Sequence, residues 1–201
     1  FDYDIANMKI IEAEKLNRFY TSPNLLSKQS EALTNKNKIF YPEFPQISNY
    51  RRLGDKRTFL APHVLIKEGQ TDKEFCASFL DYDCCFKSTI TGISFDKRTI
   101  SKNDFESKTN ILKVITAFFN SRLSSYYLFL TSISWGVERE RVTRKDLLQL
   151  PALPFEMSKE NIYQLAEKVD KISEELKKDI FRNDTSSIEN EIDEIIYKAL
   201  N

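Results

Sequence analysis

Apolar residues recur at every third or fourth position in several stretches of this chain, which is the spacing of amphipathic helices. The pattern predicts helices over residues 4–19 and 112–130, and a long one over residues 162–180. The stretch 112–130 is apolar on most of its sides, so we expect it to be buried against a sheet. A further helix beyond a turn predicts that the chain ends in a helical hairpin, with Ser186 and Glu189 as a capping box.

Shorter apolar pieces lie between the first two helices and carry many β-branched and aromatic residues. They cover residues 39–45, 59–67, 75–79 and 84–95, and Pro62 marks a sheet edge or the start of a strand. The pieces predict a twisted, mainly antiparallel sheet. The expected fold class is therefore α+β, with this sheet packed on a buried helix and followed by the C-terminal hairpin.

Prolines and changes in the spacing of apolar residues divide the chain into three parts. Pro151 and Pro154 separate the apolar body from the hairpin. We therefore expect an N-terminal helical segment over residues 1–38, a main domain over 39–155 and a helical hairpin over 156–201. Because the sequence opens with Phe rather than Met, we interpret it as a fragment of a longer protein.

The longest apolar run extends from Ile111 to Ile133 and has the length of a membrane span. Lys113, Asn120 and Arg122 interrupt it, which favours a buried core helix over a membrane-spanning one. No secretory signal precedes it, so the expected location is the cytoplasm.

The formal net charge is zero, with 30 basic and 30 acidic residues, but the charges are not evenly distributed. Twelve acidic and seven basic residues lie between Glu156 and Asn201, which leaves 18 acidic and 23 basic residues before them. An acidic tail therefore masks a moderately basic body, and such asymmetry bears on the choice of partner.

The motifs of several enzyme classes are absent. With four glycines and no Gly-x-Gly, the chain lacks the turn that cradles a nucleotide or a methyl donor, and its six prolines are never adjacent, so no Pro-Pro motif is present to hold a flipped base. The acidic stretch from Glu68 to Glu74 is interpreted as a solvated loop rather than a nuclease metal site. We therefore expect no catalytic residue, no metal site and no cofactor within this chain.

The cysteines and the single histidine offer little further chemistry. Cys76, Cys84 and Cys85 form neither a disulfide framework nor a zinc motif, and we expect small buried side chains in a reducing compartment. His63 alone cannot build a histidine-based zinc site. A surface or hydrogen-bonded structural role is expected for it, with contact to a phosphate as the alternative.

Three stretches outside the tail concentrate positive charge, namely residues 51–67, 87–102 and 122–145. Arg and Lys neutralise phosphates, and Arg can read guanine edges, so these stretches are candidate DNA contacts. Ordinary solvated loops and ion pairs within residues 138–141 are the alternative. The candidate DNA-binding residues are Arg51, Arg52, Lys56, Arg57, Lys67, Lys97, Arg98, Arg139 and Arg141.

Several segments carry a resemblance to a known family. They are FFNSRLSSYYLFLTS at 118–132, SWGVERERV at 134–142 and LLQLP at 147–151, with FLAPHVLIK at 59–67 and ITGI at 90–93 upstream. Together they resemble the C-terminal specificity region of TaqI-like adenine-N6 DNA methyltransferases, which include fused type IIG restriction–modification enzymes. His63 stands where the family commonly has Lys. The tail resembles the spacer helices that such domains share with type I specificity subunits.

The resemblance implies a non-catalytic module that recognises a specific sequence in double-stranded DNA. An N-terminal methyltransferase domain of the same bacterial protein would then bind S-adenosylmethionine and modify adenine, with or without a fused endonuclease. An alternative is a helical scaffold, like a specificity subunit, whose coiled-coil tail assembles partner subunits. A third hypothesis, an independent nuclease, finds no support in the motifs.

Overall fold

A computed structural model describes residues 8–28, 55–68, 75–96, 104–132, 142–151, 156–178 and 184–199. The strands are β1 (Ile10–Ile11), β2 (His63–Lys67), β3 (Ala77–Leu80), β4 (Cys85–Phe86) and β5 (Ile90–Ser94). The helices are α1 (Phe105–Asn120), α2 (Arg122–Thr131), α3 (Arg144–Gln149), α4 (Lys159–Lys178) and α5 (Ser186–Lys198). Short 3-10 turns cover Ala13–Lys15, Pro23–Leu25 and Lys56–Phe59.

The main sheet has three strands in the order β3-β2-β5, and both pairings are antiparallel. Successive side chains of the central strand β2 point alternately into two cores, as the two-residue period of a strand requires. Val64 and Ile66 pack with α1, whereas Leu65 faces the opposite cluster. A second, two-stranded sheet joins β1 to β4 in parallel. The expected α+β class, with a mainly antiparallel sheet packed on a helix and followed by C-terminal helices, is confirmed.

Gly92 in β5 lies under an aromatic ring. A Cβ at this position would stand 2.5 Å from Cζ of Phe86, so the ring occupies the space that a side chain would need. Phe86 itself packs edge-to-face on Phe59, with ring centroids 5.0 Å apart. The glycine of the ITGI segment therefore allows the second sheet to pack closely against the first.

The helix expected over residues 4–19 is wrong for its described part, which holds β1 and a 3-10 turn. The apolar residues there pack into different clusters: Ile11 and Leu16 on one side of the sheet, and Phe19 against α1 and the C-terminal helices. Backbone groups of Phe19 pair with β3, through Phe19 N–H to Ala77 O at 2.8 Å and Phe79 N–H to Phe19 O at 3.1 Å. Pairing with neighbouring strands thus replaces the local helix, and Phe19 adopts a φ of 62°.

The central helix expected as one piece is two helices, α1 and α2, separated at Ser121. Ser121 has a ψ of 155°, which ends α1, and its Oγ accepts a hydrogen bond from Ser124 N–H at 3.3 Å, which caps α2. The expected burial holds for α1 but not for all of α2, where Tyr126 and Leu130 are exposed. No helix of the described residues is long and apolar enough to cross a membrane.

The C-terminal hairpin packs on the body instead of standing apart from it. Leu165 and Ile172 of α4 and Ile192 of α5 share one core with Val114 and Phe118 of α1. The capping box expected at Ser186 and Glu189 is wrong, because Ser186 is the first helical residue of α5 and not the N-cap residue before it. Its N-cap residue is Thr185, whose hydroxyl donates to the Glu189 carboxylate at 2.7 Å.

Candidate nucleic-acid interface

The basic stretches found in the sequence reach the two ends of the central strand β2. Lys56 and Arg57 precede its first residue, and Lys67 is its last. Five strand residues separate these ends by about 13 Å, a distance that a DNA strand covers in about four nucleotides. Cations at both ends of β2 can therefore face one stretch of duplex.

Arg57 is held at the first end by two carboxylates. Its guanidinium pairs with Asp55, which precedes the 3-10 turn, and with Asp96 at 2.7 Å, which follows β5. His63, the first residue of β2, lies opposite Ser94, the last residue of β5. The ion pair between Arg57 and Asp96 therefore joins the 3-10 turn before β2 to the end of β5. Both carboxylates neutralise Arg57, so a phosphate would have to displace them before it could pair with the guanidinium.

The pairing changes the ionisation of Asp55. The hydrogen bond from Arg57 lowers the pKa of this carboxyl from its usual 3.8 to about 2. The charged pair therefore stabilises the fold above about pH 4, and this contribution is lost as the pH falls from about 4 toward 2. We expect Arg57→Ala to raise the pKa of Asp55 only part of the way toward 3.8, because the backbone N–H of residue 57 still donates to the carboxylate; NMR titration of the Asp55 carboxyl carbon measures the shift. An unchanged pKa in the variant would show that the pair does not form in solution.

The second end of β2 brings two distant basic stretches together. Glu68, directly after Lys67, accepts a hydrogen bond from Val142 N–H at 2.9 Å through its backbone oxygen. Arg144 and Lys145 follow Val142 and are exposed on α3. A capping box between Thr143 and Asp146 fixes the first turn of this helix. The stretches 51–67 and 122–145 therefore meet beside Lys67.

Most of the expected contact residues cannot be placed. Lys56 lies in a described 3-10 turn, but its side chain does not belong to the described part of the structure. The remaining expected contacts lie outside the described residues, namely Arg51, Arg52, Lys97, Arg98, Arg139 and Arg141. Arg144 and Lys145 were missed as individual candidates, although the charge count of their stretch included them.

His63 has a structural role, so the phosphate contact considered for it is wrong. Its side chain is fully buried, and Nδ1 lies 2.7 Å from Thr58 O. The other ring nitrogen lies 3.8 Å from Sγ of Cys84. The histidine thus ties the 3-10 turn of Arg57 to β2 and to the loop before β4. A ring enclosed in this way cannot reach a phosphate.

The three polar residues that interrupt the long apolar run each make a specific contact. Lys113 pairs with Asp170 of α4 at 2.6 Å. Arg122 donates its backbone N–H to Asp193 of α5 at 3.0 Å. Both connect the central helices to the hairpin, which the sequence indicated only as breaks in an apolar pattern.

Asn120 forms the most complete of these contacts. Its side-chain oxygen accepts from Ala77 N–H at 3.0 Å, and its side-chain amide donates to Ala77 O at 2.8 Å. The side chain is 6% exposed and pairs with the outer edge of β3 as a neighbouring strand would. The Asn-Ser pair of the FFNSRLSS segment therefore docks α1 on the sheet and starts α2.

A polar cavity of about 500 Å³ opens where α2 begins. Its charged groups are paired: Arg18 with Glu189 at 2.8 Å, and Arg122 with Asp193 at 3.5 Å. Burial raises the pKa of the Asp193 carboxyl despite the hydrogen bond and charge of Arg122. Two acidic residues of α5 thus pair with arginines of the body across this cavity.

The cysteines are free thiols in apolar surroundings. Cys84 and Cys85 are buried and Cys76 is half-buried, which confirms the expected small packing side chains for the first two. Burial raises the pKa of Cys76 to about 11, and that of Cys84 and of Cys85 to about 12. Among the described residues, no group of three or more His, Cys, Asp or Glu side chains is arranged to hold a metal ion.

Comparison with models of protein families gives no match for this chain, and comparison with curated proteins gives none either.

Proposed function

We propose that this chain is the module of a bacterial restriction–modification adenine methyltransferase that recognises a specific sequence in double-stranded DNA. The module itself is non-catalytic. A methyltransferase domain of the same cytoplasmic protein binds S-adenosylmethionine and modifies the base, and the parent protein is a methyltransferase alone or one fused to an endonuclease. The observation that carries the proposal is the meeting of two basic stretches beside Lys67.

The described parts of the segments that carry the family resemblance pack together in one structural unit, which supports the proposal. FLAPHVLIK supplies β2 and ITGI supplies β5, and these strands are paired directly, with Leu65 opposite Gly92. The helical segment starts at the end of α1, which packs on Val64 and Ile66 of β2. A rigid sheet-and-helix unit of this kind can present basic loops to a duplex.

The alternative of a scaffold that assembles partners through its tail loses its main support. The apolar seam of α4, including Leu165, Val169 and Ile172, is buried against α1 and α5 of the same chain. A partner would have to bind the opposite face, where charged residues such as Glu167 and Lys171 pair with each other. That face resembles an ordinary solvated helix surface.

Selection from random duplex DNA at two salt concentrations tests the proposal. We expect the purified chain to enrich one short motif and to retain it at moderate salt, because contacts to base edges persist when phosphate contacts are screened. Weak binding with no motif, lost as salt rises, would contradict sequence recognition by this chain.

A charge-removing double variant tests the surface beside Lys67. Replacing Arg144 and Lys145 by Ala should weaken binding to all duplexes alike and reduce the slope of log affinity against log salt by about two, one for each lost phosphate contact. The matched control replaces Lys171 and Lys178 of α4 by Ala, which removes the same charge from the hairpin. Equal salt slopes in the two double variants would remove this surface from the proposed interface.

A further inference from the structure

Arg57 presents part of its guanidinium to solvent while two carboxylates hold the rest. Its Nε lies 2.9 Å from both carboxylate oxygens of Asp55, and its Nη2 pairs with the same carboxylate. Its Nη1 donates to Asp96 at 2.7 Å. A guanidinium has five N–H groups, and these contacts with described residues engage one on each nitrogen. One N–H on Nη1 and one on Nη2 are therefore available, on a side chain that is 49% exposed.

The turn that carries Arg57 is fixed to the sheet by contacts on both sides. Asp55 caps the turn by accepting the backbone N–H of Arg57 at 3.0 Å, and its backbone oxygen accepts from the Thr58 hydroxyl at 2.6 Å. The backbone oxygen of Thr58 lies 2.7 Å from Nδ1 of the buried His63. Asp96 holds the guanidinium from the end of β5. The side chain is thus ordered before a ligand arrives, which lowers the entropy that binding costs.

The charges around Arg57 favour a neutral acceptor over a phosphate. One guanidinium and two carboxylates carry a net charge of −1. Asp55 stays ionised at neutral pH, because the hydrogen bond from Arg57 lowers the pKa of this carboxyl to about 2. The carboxylates therefore repel an approaching phosphate, whereas the edge of a base has no net charge to repel. The free N–H groups suit a base edge better than the DNA backbone.

We propose that Arg57 recognises a guanine in the major groove of the target sequence, with Asp55 and Asp96 as positioning residues, an inference that rests on the proposed DNA-recognition function. Two N–H donors on one planar group need two acceptors on one base. In the major groove guanine presents such a pair, N7 and O6. Adenine presents one acceptor beside a donor, cytosine a donor, and thymine one acceptor beside a methyl group. The donors of Arg57 therefore match guanine and not the other three bases.

Selection from random duplex DNA, performed in parallel with the wild-type chain and with Arg57→Lys, tests the proposal. Lysine keeps the positive charge but lacks the planar pair of donors. We expect the wild-type motif to contain a guanine whose preference disappears in the variant, while the other positions keep theirs. The affinity ratio between the selected duplex and the same duplex with that G·C pair replaced by A·T should fall by about five- to a hundredfold. The dependence of affinity on salt should stay the same, because the charge is kept.

Two further variants separate base recognition from ion pairing alone. Arg122→Lys is the matched control, because it makes the same substitution at an exposed arginine that pairs with Asp193 of the hairpin, and it should leave the motif and the affinity ratio unchanged. Asp96→Asn keeps the shape of the side chain but removes its charge, so the guanidinium is held less firmly and the ratio should fall. Stronger binding to every duplex with an unchanged ratio would show that Asp96 only neutralises Arg57, which contradicts its positioning role.

Circular dichroism melting verifies that the variants fold, as is expected for changes at exposed positions. Loss of preference at one guanine in folded Arg57→Lys, with the motif of Arg122→Lys intact, supports the assignment. A motif that Arg57→Lys leaves unchanged overturns it while the proposed function stands, and so does a preference lost at an A·T pair or uniformly weaker binding to all duplexes. A wild-type chain that enriches no motif contradicts the proposed function itself, and the assignment of Arg57 is then overturned with it.

Discussion

Replacing Asn120 by Ala should lower the free energy of unfolding by about 2–4 kcal/mol, measured by urea denaturation. The substitution removes both side-chain hydrogen bonds to Ala77. Ala77 O keeps the hydrogen bond from Phe19 N–H, but the buried N–H of Ala77 loses its acceptor. An unsatisfied buried donor costs about 1–3 kcal/mol, and the vacated volume adds to this.

Asn190→Ala is the matched control for this experiment. Asn190 is an exposed asparagine on α5 that accepts one hydrogen bond from the Arg122 guanidinium at 2.8 Å. Its replacement should change the stability by no more than about 0.5 kcal/mol, as is usual for surface positions. If the two variants were equally stable, the contact between Asn120 and Ala77 would contribute nothing to the fold.

Leu165→Ala should destabilise the whole chain by about 2–5 kcal/mol, although the residue lies in the C-terminal hairpin. Leu165 is fully buried in the core that α4 shares with Phe118 of α1. Because the hairpin and the body share this core, loss of the side chain should move a single cooperative transition to lower temperature. The exposed neighbour Tyr163 is the control, and Tyr163→Ala should leave the transition almost unchanged.

The shape of the transition separates two descriptions of the hairpin. An independent spacer would unfold by itself, so Leu165→Ala would produce an early loss of helical signal followed by an unchanged second transition. One common transition, followed both by far-ultraviolet circular dichroism and by the near-ultraviolet signal of the aromatic side chains buried in the body, is the result that the shared core predicts. Two separate transitions would contradict it.

The sequence predicted the elements that depend on local pattern. The β-rich composition of residues 59–67 identified the central strand, and the spacing of Leu165, Val169 and Ile172 identified α4. The continuous apolar run arises because β2 is buried on both faces, and the spacing in α4 arises because one face of that helix is buried against the same chain. The fold class followed from the order of these elements, and it is confirmed.

The missed features depend on contacts between residues far apart in the chain. Residues 8–19 show helical spacing, but strand pairing of Phe19 with β3 decides their conformation. The break at Ser121 depends on its hydroxyl as a cap, in a stretch where apolar residues continue at helical spacing on both sides of the break. Likewise, the hydrogen bond from Val142 to Glu68 and the packing of Val142 and Leu147 on β2 bring Arg144 and Lys145 near Lys67. No spacing rule within the sequence predicts these long-range contacts.

The contacts of β3 have a consequence for the behaviour of the protein at high concentration. An uncovered strand at the edge of a sheet offers a row of N–H and C=O groups to any other chain and promotes aggregation. The outer edge of β3 is occupied by the backbone of Phe19 and the side-chain amide of Asn120. On this side the sheet cannot be extended by another molecule, so the two residues protect the chain from amyloid-like assembly as well as stabilising its fold.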